Sequence, residues 1–188
     1  MAENLASKVG ETAFFAVLYI VLFYASDALV DAQHYQGVAS WFFLPAFVRL
    51  LGFLMIGLRI IPALLVSSLF LVASGGYDFG PGYAPDLVVA VATAVGGPIG
   101  AWAVAAWTKL DRNLAELSPP LLLALSAGCA LGNALAFEIA IIINGLDVPS
   151  LKVFASMFVG DMLGTWAVLY ALKFTGSLLR AFHMRPRR

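Results

Sequence analysis

The sequence predicts an all-α integral membrane protein, a single transmembrane domain (residues 1–188) built as a bundle of six transmembrane helices. Of the 188 residues, 62% are hydrophobic and 12% are charged, and the mean hydropathy is +0.92. A water-soluble domain of this length needs far more polar surface to cover its core. The apolar residues also form long unbroken runs, and the short alternating pattern of a transmembrane β-barrel is absent.

Six apolar runs are long enough to cross the hydrocarbon core, which takes about 20 helical residues. The predicted helices cover residues 12–32, 38–57, 60–76, 86–107, 119–144 and 151–176. A turn at Gly57 separates the second helix from the third, and turn-rich stretches separate the later ones. Pro119 and Pro120 suit the start of the fifth helix, where the missing proline N–H costs nothing. A basic tail, residues 177–188, follows the sixth helix.

Positive charges predict the orientation, because cytoplasmic segments of membrane proteins are enriched in lysine and arginine. If both termini are cytoplasmic, Arg49 lies inside the membrane and the outer segments carry Lys152 alone. The inner segments then carry Lys8, Arg59, Lys109, Arg112, Lys173, Arg180, Arg185, Arg187 and Arg188. This bias agrees with an even number of helices, so we expect the N- and C-termini to be cytoplasmic.

Arg49 interrupts the apolar stretch WFFLPAFVRLLGFL, residues 41–54. An arginine near the centre of a transmembrane helix costs about 2.5–3.5 kcal/mol on insertion scales, so it needs a partner. Arg49 lies about 11 residues from the outer end of its predicted helix, and Asp161 lies about 10 residues from the outer end of the sixth, so their depths match. We therefore predict an Arg49–Asp161 ion pair that neutralises both groups.

Further polar groups lie towards the predicted outer side. Asp27 and Asp31 share one face of the first helix, and His34 follows them. Glu138 and Asn133 lie within the apolar fifth helix. One interpretation joins Asp27, Asp31, His34 and Glu138 in an outward-open acidic pocket for a proton, a metal ion or a cationic ligand. The other treats Asp31 and His34 as the hydrated end of the helix and Glu138 as a packing carboxyl. Their spacing matches no specific metal-binding motif, so no metal site is predicted.

Small residues recur at helical spacing in the last three helices, where they let neighbouring backbones approach closely. The sets are Gly96 and Gly97 with Gly100, Gly128 with Gly132, and Gly160 with Gly164. We expect packing within the bundle, and a dimer face at Gly160 and Gly164 is the alternative.

The sequence shows no constellation typical of an enzyme. A nucleophile elbow, an HExxH motif, a Walker loop and a CxxC motif are all missing. Its two histidines, His34 and His183, lie near opposite ends of the predicted bundle, so no Ser/His/Asp arrangement forms at one depth. We therefore expect a protein without enzymatic activity.

Two stretches carry a family resemblance. Residues 41–71, WFFLPAFVRLLGFLMIGLRIIPALLVSSLFL, contain a proline, an apolar run and a G-x-R…P turn, and residues 158–174, FVGDMLGTWAVLYALKF, contain G-D-x-x-G. Together they resemble the membrane-associated sensor domain MASE1, a multi-helix input module that usually precedes a kinase or a diguanylate cyclase. The matching positions are Pro45, Gly57, Arg59, Pro62, Gly160, Asp161 and Gly164. That family has more helices and an output domain, so the resemblance implies a stand-alone module that signals through a partner.

These observations predict a non-enzymatic, sensor-like or ligand-binding module in the bacterial inner membrane that acts through a membrane protein partner. Its candidate polar residues are Arg49, Asp161, Glu138, Asn133, Asp27, Asp31 and His34. The sequence leaves any cofactor unknown and indicates no nucleic-acid partner. Two alternatives remain. Six helices in so short a chain also resemble the small-molecule capture subunits of energy-coupling-factor transporters, although the first helix is bulky where theirs is alanine-rich. The other alternative is an accessory or assembly subunit of a larger membrane complex.

Overall fold

The computed structural model describes residues 2–30, 34–35, 39–40, 42–79, 82–110, 117–146 and 151–183, with side chains for 6–29, 42–79, 82–110, 117–146 and 151–175. The described chain is helical apart from two short antiparallel strands, β1 (His34–Tyr35) and β2 (Ala39–Ser40). In chain order the helical elements are α1 (Ala2–Val30), α2 (Ala46–Ile56), a 3-10 turn (Gly57–Ile60), α3 (Ile61–Ala73), α4 (Tyr83–Trp107), α5 (Pro119–Ile143) and α6 (Leu151–His183).

Five segments of the described chain are long and apolar enough to cross a membrane. They are Ala6–Leu29, Ala46–Ala73, Tyr83–Trp107, Pro119–Ile143 and Leu151–Thr175. The predicted class, a helical multi-pass membrane protein, is therefore confirmed. The second of these segments joins α2 to α3, so two of the six predicted helices share one continuous apolar stretch.

The predicted helix 38–57 is wrong in its first part, because α2 begins only at Ala46. Ala39 and Ser40 form strand β2 instead, and the chain turns at Leu44 and Pro45 before the helix starts. Proline provides a physical reason: it disfavours helical geometry in the residue before it, and its own missing N–H is tolerated at a helix start. Arg49 therefore lies in the first turn of α2, not in the middle of a long helix.

The chain reverses direction between α2 and α3. Gly57 adopts a positive φ of 64°, which favours glycine and ends α2. In an uninterrupted helix, residues 52 and 60 stand about 12 Å apart. Here a Cβ on Gly52 collides with the side chain of Ile60, so the two residues are in contact. The pair is a helical hairpin.

Both ends of this hairpin lie beside the same part of α1. At its start, the Ser26 hydroxyl donates to the Phe42 carbonyl oxygen at 2.8 Å. At its end, the Tyr24 and Ser74 hydroxyls are 3.1 Å apart. Tyr24 and Ser26 are neighbours on α1, so the start and the end of the hairpin lie at the same position along α1. Helix α2 therefore runs away from this position and α3 runs back to it. A core of large side chains, including Phe15, packs α1 against the hairpin.

Helices α4 and α5 form the closest helix pair, through the glycines that the sequence singled out. Cβ atoms on Gly96 and Gly100 of α4 collide with the backbone of Gly132 and Gly128 on α5. The predicted packing within the bundle is confirmed for these four residues. Helix α5 starts at Pro119 as expected, with the Ser118 hydroxyl accepting from the Leu121 N–H at 3.4 Å.

Candidate functional site

A buried ion pair joins α2 to α6 inside the bundle. The Arg49 Nη1 atom lies 3.1 Å from Asp161 Oδ2, and the two side chains are only 3% and 5% exposed. The structure thus contains the pair that matching depths predicted. Both charges are removed from water, so each depends on the other for neutralisation.

Two more helices complete the polar cluster. The Asn133 side-chain amide of α5 donates to the same Asp161 oxygen at 2.8 Å, and Arg49 Nη2 donates to the Tyr19 hydroxyl of α1 at 2.9 Å. We call these four residues, Arg49, Asp161, Asn133 and Tyr19, the Arg49 network. Its members come from α2, α6, α5 and α1, so any change in the network acts on four helices at once.

Aromatic rings cover the guanidinium. The Arg49 Cζ atom lies 5.2 Å from the centre of the Phe43 ring and 5.6 Å from that of Tyr19. Both distances are within the range of a cation–π interaction, which strengthens when the cation is desolvated. Phe43 was not among the predicted site residues, and a cation in an otherwise apolar segment next to several aromatics was the signal for it.

Glycines make room for this arrangement. On α4, a Cβ at Gly97 lies 2.9 Å from Arg49 Cδ and 3.3 Å from Cys129 Sγ, so any side chain there presses on the arginine. On α6, the Gly160 carbonyl oxygen accepts from the Phe43 N–H at 3.1 Å, and a Cβ at Gly164 collides with the Phe43 carbonyl. The Gly160–Gly164 face therefore packs against the chain entering α2, which argues against its use as a dimer face.

Two buried atoms of the network have no hydrogen-bond partner among the described protein groups: Arg49 Nε and Asn133 Oδ1. Burying a donor or acceptor without a partner costs about 1–3 kcal/mol, so such atoms are rare in native interiors. One atom is a donor and the other an acceptor. The network therefore has one donor and one acceptor that no described protein group uses.

The loop after α3 closes the bundle above the network. The Tyr77 ring meets the Phe23 ring edge-on at 5.7 Å, and Phe79 contacts Tyr77 at 5.4 Å and Phe137 at 5.6 Å. Asp86 at the start of α4 accepts from the Phe79 N–H at 2.8 Å and anchors the loop. We call Tyr77 and Phe79 the loop plug. Neither residue was predicted as part of a site.

The predicted outward acidic pocket lies partly outside the described residues. Asp31 and the side chain of His34 are among those not described, and the described Asp27 side chain is exposed. Glu138 lies on α5 with its Oε1 atom buried and without a hydrogen-bond partner. In the described part of the chain no group of three or more metal-ligating side chains occurs. The pocket stays a prediction, and Asn133 is the residue of the fifth helix that joins the Arg49 network, through Asp161.

Comparison with protein families, with curated proteins and with solved structures finds no match to this chain. The resemblance to MASE1 therefore rests on the quoted residues alone. Three of them have a clear structural position: Gly57 at the hairpin turn, Asp161 in the ion pair and Gly164 against Phe43.

Proposed function

We propose that the protein is a non-enzymatic, sensor-like membrane module that binds a small ligand at the Arg49 network and transmits this event to a membrane protein partner. The observation that carries the proposal is the buried Arg49–Asp161 pair with an unused donor and an unused acceptor beside it. A buried ion pair is often less stabilising than apolar residues of the same volume. Ionisable groups at membrane depth are accordingly good candidates for function.

Helix α6 is the best candidate for transmitting the event. It contributes Asp161 to the network and contacts Phe43 through Gly160 and Gly164. It runs from Leu151 to His183 and is the longest helix of the described chain. A ligand that changes the Arg49–Asp161 geometry moves or rotates this helix, which carries the event along its length to the partner.

We further propose six membrane crossings with both termini in the cytoplasm of a bacterial cell, in the inner membrane. The hairpin geometry supports an even number, because α2 and α3 run in opposite directions and both ends of the hairpin lie beside the same part of α1. Cysteine labelling tests this topology in a Cys129→Ala background. A cysteine replacing Tyr83 is expected to react from outside intact cells, and one replacing Lys109 only after permeabilisation. Labelling of both positions from outside shows that α4 does not cross the membrane and contradicts this topology.

Native mass spectrometry of protein extracted in a mild detergent tests the function, because it detects a bound small molecule and a partner together. We expect a ligand on the wild-type protein and reduced occupancy on Asp161→Asn, with the partner retained. Asp78→Asn, an exposed carboxylate outside the network, is the matched control and is expected to keep the ligand. Equal ligand occupancy in Asp161→Asn and wild type rules out the network as the binding site.

An accessory subunit of a larger complex is the second candidate, and Glu138 favours it. This carboxyl lies on α5 beside the exposed residues Leu135 and Ile139, with Oε1 unpartnered. A polar group of another chain pairs with Glu138 Oε1 without any rearrangement of this bundle. A stoichiometric partner that dissociates in Glu138→Ala, with no ligand on the wild type, supports this role. A ligand found without any partner favours the capture subunit instead.

A further inference from the structure

The Arg49 network lies near the middle of the candidate membrane spans. Four residues at or beside it each lie within about two residues of the midpoint of their own span: Tyr19, Gly97, Asn133 and Asp161. The hydrocarbon core is about 30 Å thick and a helix rises about 1.5 Å per residue, so either edge of the core is about ten residues away. The network is therefore a reference for the depth of other groups.

The directions of the helices show which ends lie together. Helix α2 runs away from the position of Tyr24 on α1, and α4 starts beside the loop plug, which contacts α1 at that position. Helix α6 starts there as well, because Val153 belongs to the apolar cluster against which Phe79 packs. The 3-10 turn, the first residues of α1 and the last residues of α4 therefore lie at the opposite end, with the later part of α6. We call this the turn end of the bundle.

Exposed cations gather at the turn end, close to the predicted edge of the hydrocarbon core. Counted along the chain from the network, each is about 10–12 residues away: Lys8, Arg59, Lys109 and Lys173. None of them lies within 4 Å of a carboxylate in the part of the chain that the structure describes. Among the described side chains, Glu11 is the one carboxylate at this end. The other end carries Asp27, Asp78 and Asp86, and its described cation is Lys152.

Arg59 is held at the surface of this end by its own turn. Its Nε atom donates to the Ile56 carbonyl oxygen at 3.3 Å, and the other guanidinium N–H groups have no partner among the described groups. Helix α4 packs against the turn, and Lys109 follows the end of that helix. The apolar neighbours Met55 and Leu58 are 64% and 39% exposed. Cationic and apolar surfaces therefore adjoin at the edge of the membrane.

We infer that the turn end binds an anionic phospholipid, with Arg59 and Lys109 on its phosphate group and Met55 and Leu58 against its acyl chains. The guanidinium fork matches the geometry of a phosphate, and basic groups at this depth attract anionic headgroups. Trp107, which is 85% exposed, suits the boundary between headgroups and acyl chains. The inference goes beyond the proposed function, because it needs no ligand at the Arg49 network.

Native mass spectrometry of the full chain tests the inference, with phosphatidylglycerol as the probe and phosphatidylcholine as the lipid without net charge. The protein is first stripped of lipid in a neutral detergent. We expect the wild type to bind phosphatidylglycerol more tightly than phosphatidylcholine. Arg59→Gln is expected to weaken phosphatidylglycerol binding by about fivefold, the ratio for one basic residue near an anionic surface. Equal binding of the two lipids by the wild type contradicts the inference.

A matched pair of lysines separates a local site from the effect of net charge. Lys109→Gln and Lys152→Gln remove the same charge from exposed positions at opposite ends of the bundle. We expect Lys109→Gln to lose about fivefold in affinity for phosphatidylglycerol and Lys152→Gln to bind as the wild type does. Equal losses in both variants show that net charge alone attracts the lipid, and no loss in either shows that these cations only orient the chain. Both results overturn the inference.

Two further arms complete the test. Inorganic phosphate is expected not to displace phosphatidylglycerol, because it lacks acyl chains; displacement at equal concentration shows a site for a soluble anion and contradicts a lipid site. If Arg59→Gln does not fold, the lysine pair is measured by thermal unfolding instead. Added phosphatidylglycerol is then expected to stabilise Lys152→Gln more than Lys109→Gln, since a bound lipid stabilises the folded state. Equal stabilisation of the two contradicts the inference.

Discussion

Helices α4 and α5 meet through glycines, whereas α2 and α6 meet through charges. At the first contact, Gly100 and Gly128 bring two backbones together with no polar side chain between them. At the second, Arg49 and Asp161 form a buried ion pair that Asn133 extends. Helices in lipid gain little from apolar burial, so close packing and polar contacts are the two means available to hold them.

The difference between these contacts concerns how they fail. A glycine contact fails by overpacking, and the cost depends on whether the neighbours move aside. A charge contact is lost when a substitution removes one partner and leaves the other charge buried and unpaired. The apolar groups around that charge cannot neutralise it, whatever their arrangement. The α4–α5 contact therefore resembles a fixed frame, and the Arg49 network is the part at which we propose that a ligand acts.

The largest expected effect is at the charge contact. Asp161→Ala leaves Arg49 buried without its counter-ion and is expected to destabilise the protein by about 3–5 kcal/mol. Thermal unfolding in detergent measures this against Asp78→Ala, an exposed carboxylate. The double variant Arg49→Met with Asp161→Leu is expected to recover most of the loss, because it removes both charges. Unchanged folding and expression of Asp161→Ala contradicts a structural ion pair.

The next effect is at the glycine contact. Gly100→Ala places a methyl group against the Gly128 carbonyl and is expected to cost about 1–3 kcal/mol, as overpacking usually does. Gly10→Ala is the matched control in α1, where nothing lies within 4 Å of the new Cβ. If Gly100→Ala lowers the free energy of unfolding as much as Asp161→Ala does, the two contacts do not differ in the predicted way.

Gly97 connects the two regions, because it belongs to α4 yet faces Arg49 Cδ. Gly97→Ala is expected to cost about 1 kcal/mol, since its neighbours are side-chain atoms that shift more easily than backbone. A double-mutant cycle with Arg49→Met sharpens the comparison, because the cost is expected to fall once the arginine is gone. If the costs of Gly97→Ala and Arg49→Met in free energy of unfolding simply add, Gly97 is not coupled to Arg49 and belongs only to the α4–α5 contact.

The smallest expected effect on stability is at Glu138. Glu138→Gln keeps the size and shape of a partly exposed side chain, so the free energy of unfolding is expected to change by no more than about 0.5 kcal/mol. Any activity or partner binding at the outer half of the bundle is expected to change. Chemical unfolding and the native mass spectra measure the two quantities side by side. A variant that unfolds shows that Glu138 is structural.

Much of the fold was predictable because the hydropathy of a segment reflects its free energy of transfer from water into lipid. The bounds of α4 and α5 agree with the predicted runs to within three residues, and Pro119 marks a helix start. The Arg49–Asp161 pair was predictable because an arginine inside the membrane needs an acidic partner there, although the depth of Arg49 was reckoned along a helix from residue 38 and α2 begins at Ala46. The start of α2 was not, because the stretch before Pro45 is as apolar as a helix that spans the membrane.

The polar partners beyond the ion pair were less accessible. Tyr19 and Tyr77 occur in segments that hydropathy treats as ordinary, and tyrosines are common at membrane interfaces for reasons unrelated to any site. Asn133 was a candidate, but its contact with Asp161 depends on the rotation of α5 about its axis. Helix rotation depends on packing against neighbours, which a hydropathy pattern does not contain.

The sequence by itself determined that this chain forms apolar helices and that its intramembrane arginine needs an acidic partner at equal depth. Both follow from transfer free energies, which depend on residue type and position along a helix. The tertiary structure alone decided that α2 and α3 form a hairpin beside α1, and that Tyr77 turns inward above the Arg49 network. Those features depend on contacts between residues far apart in the chain, where a glycine or a loop conformation selects one packing among several of similar hydropathy.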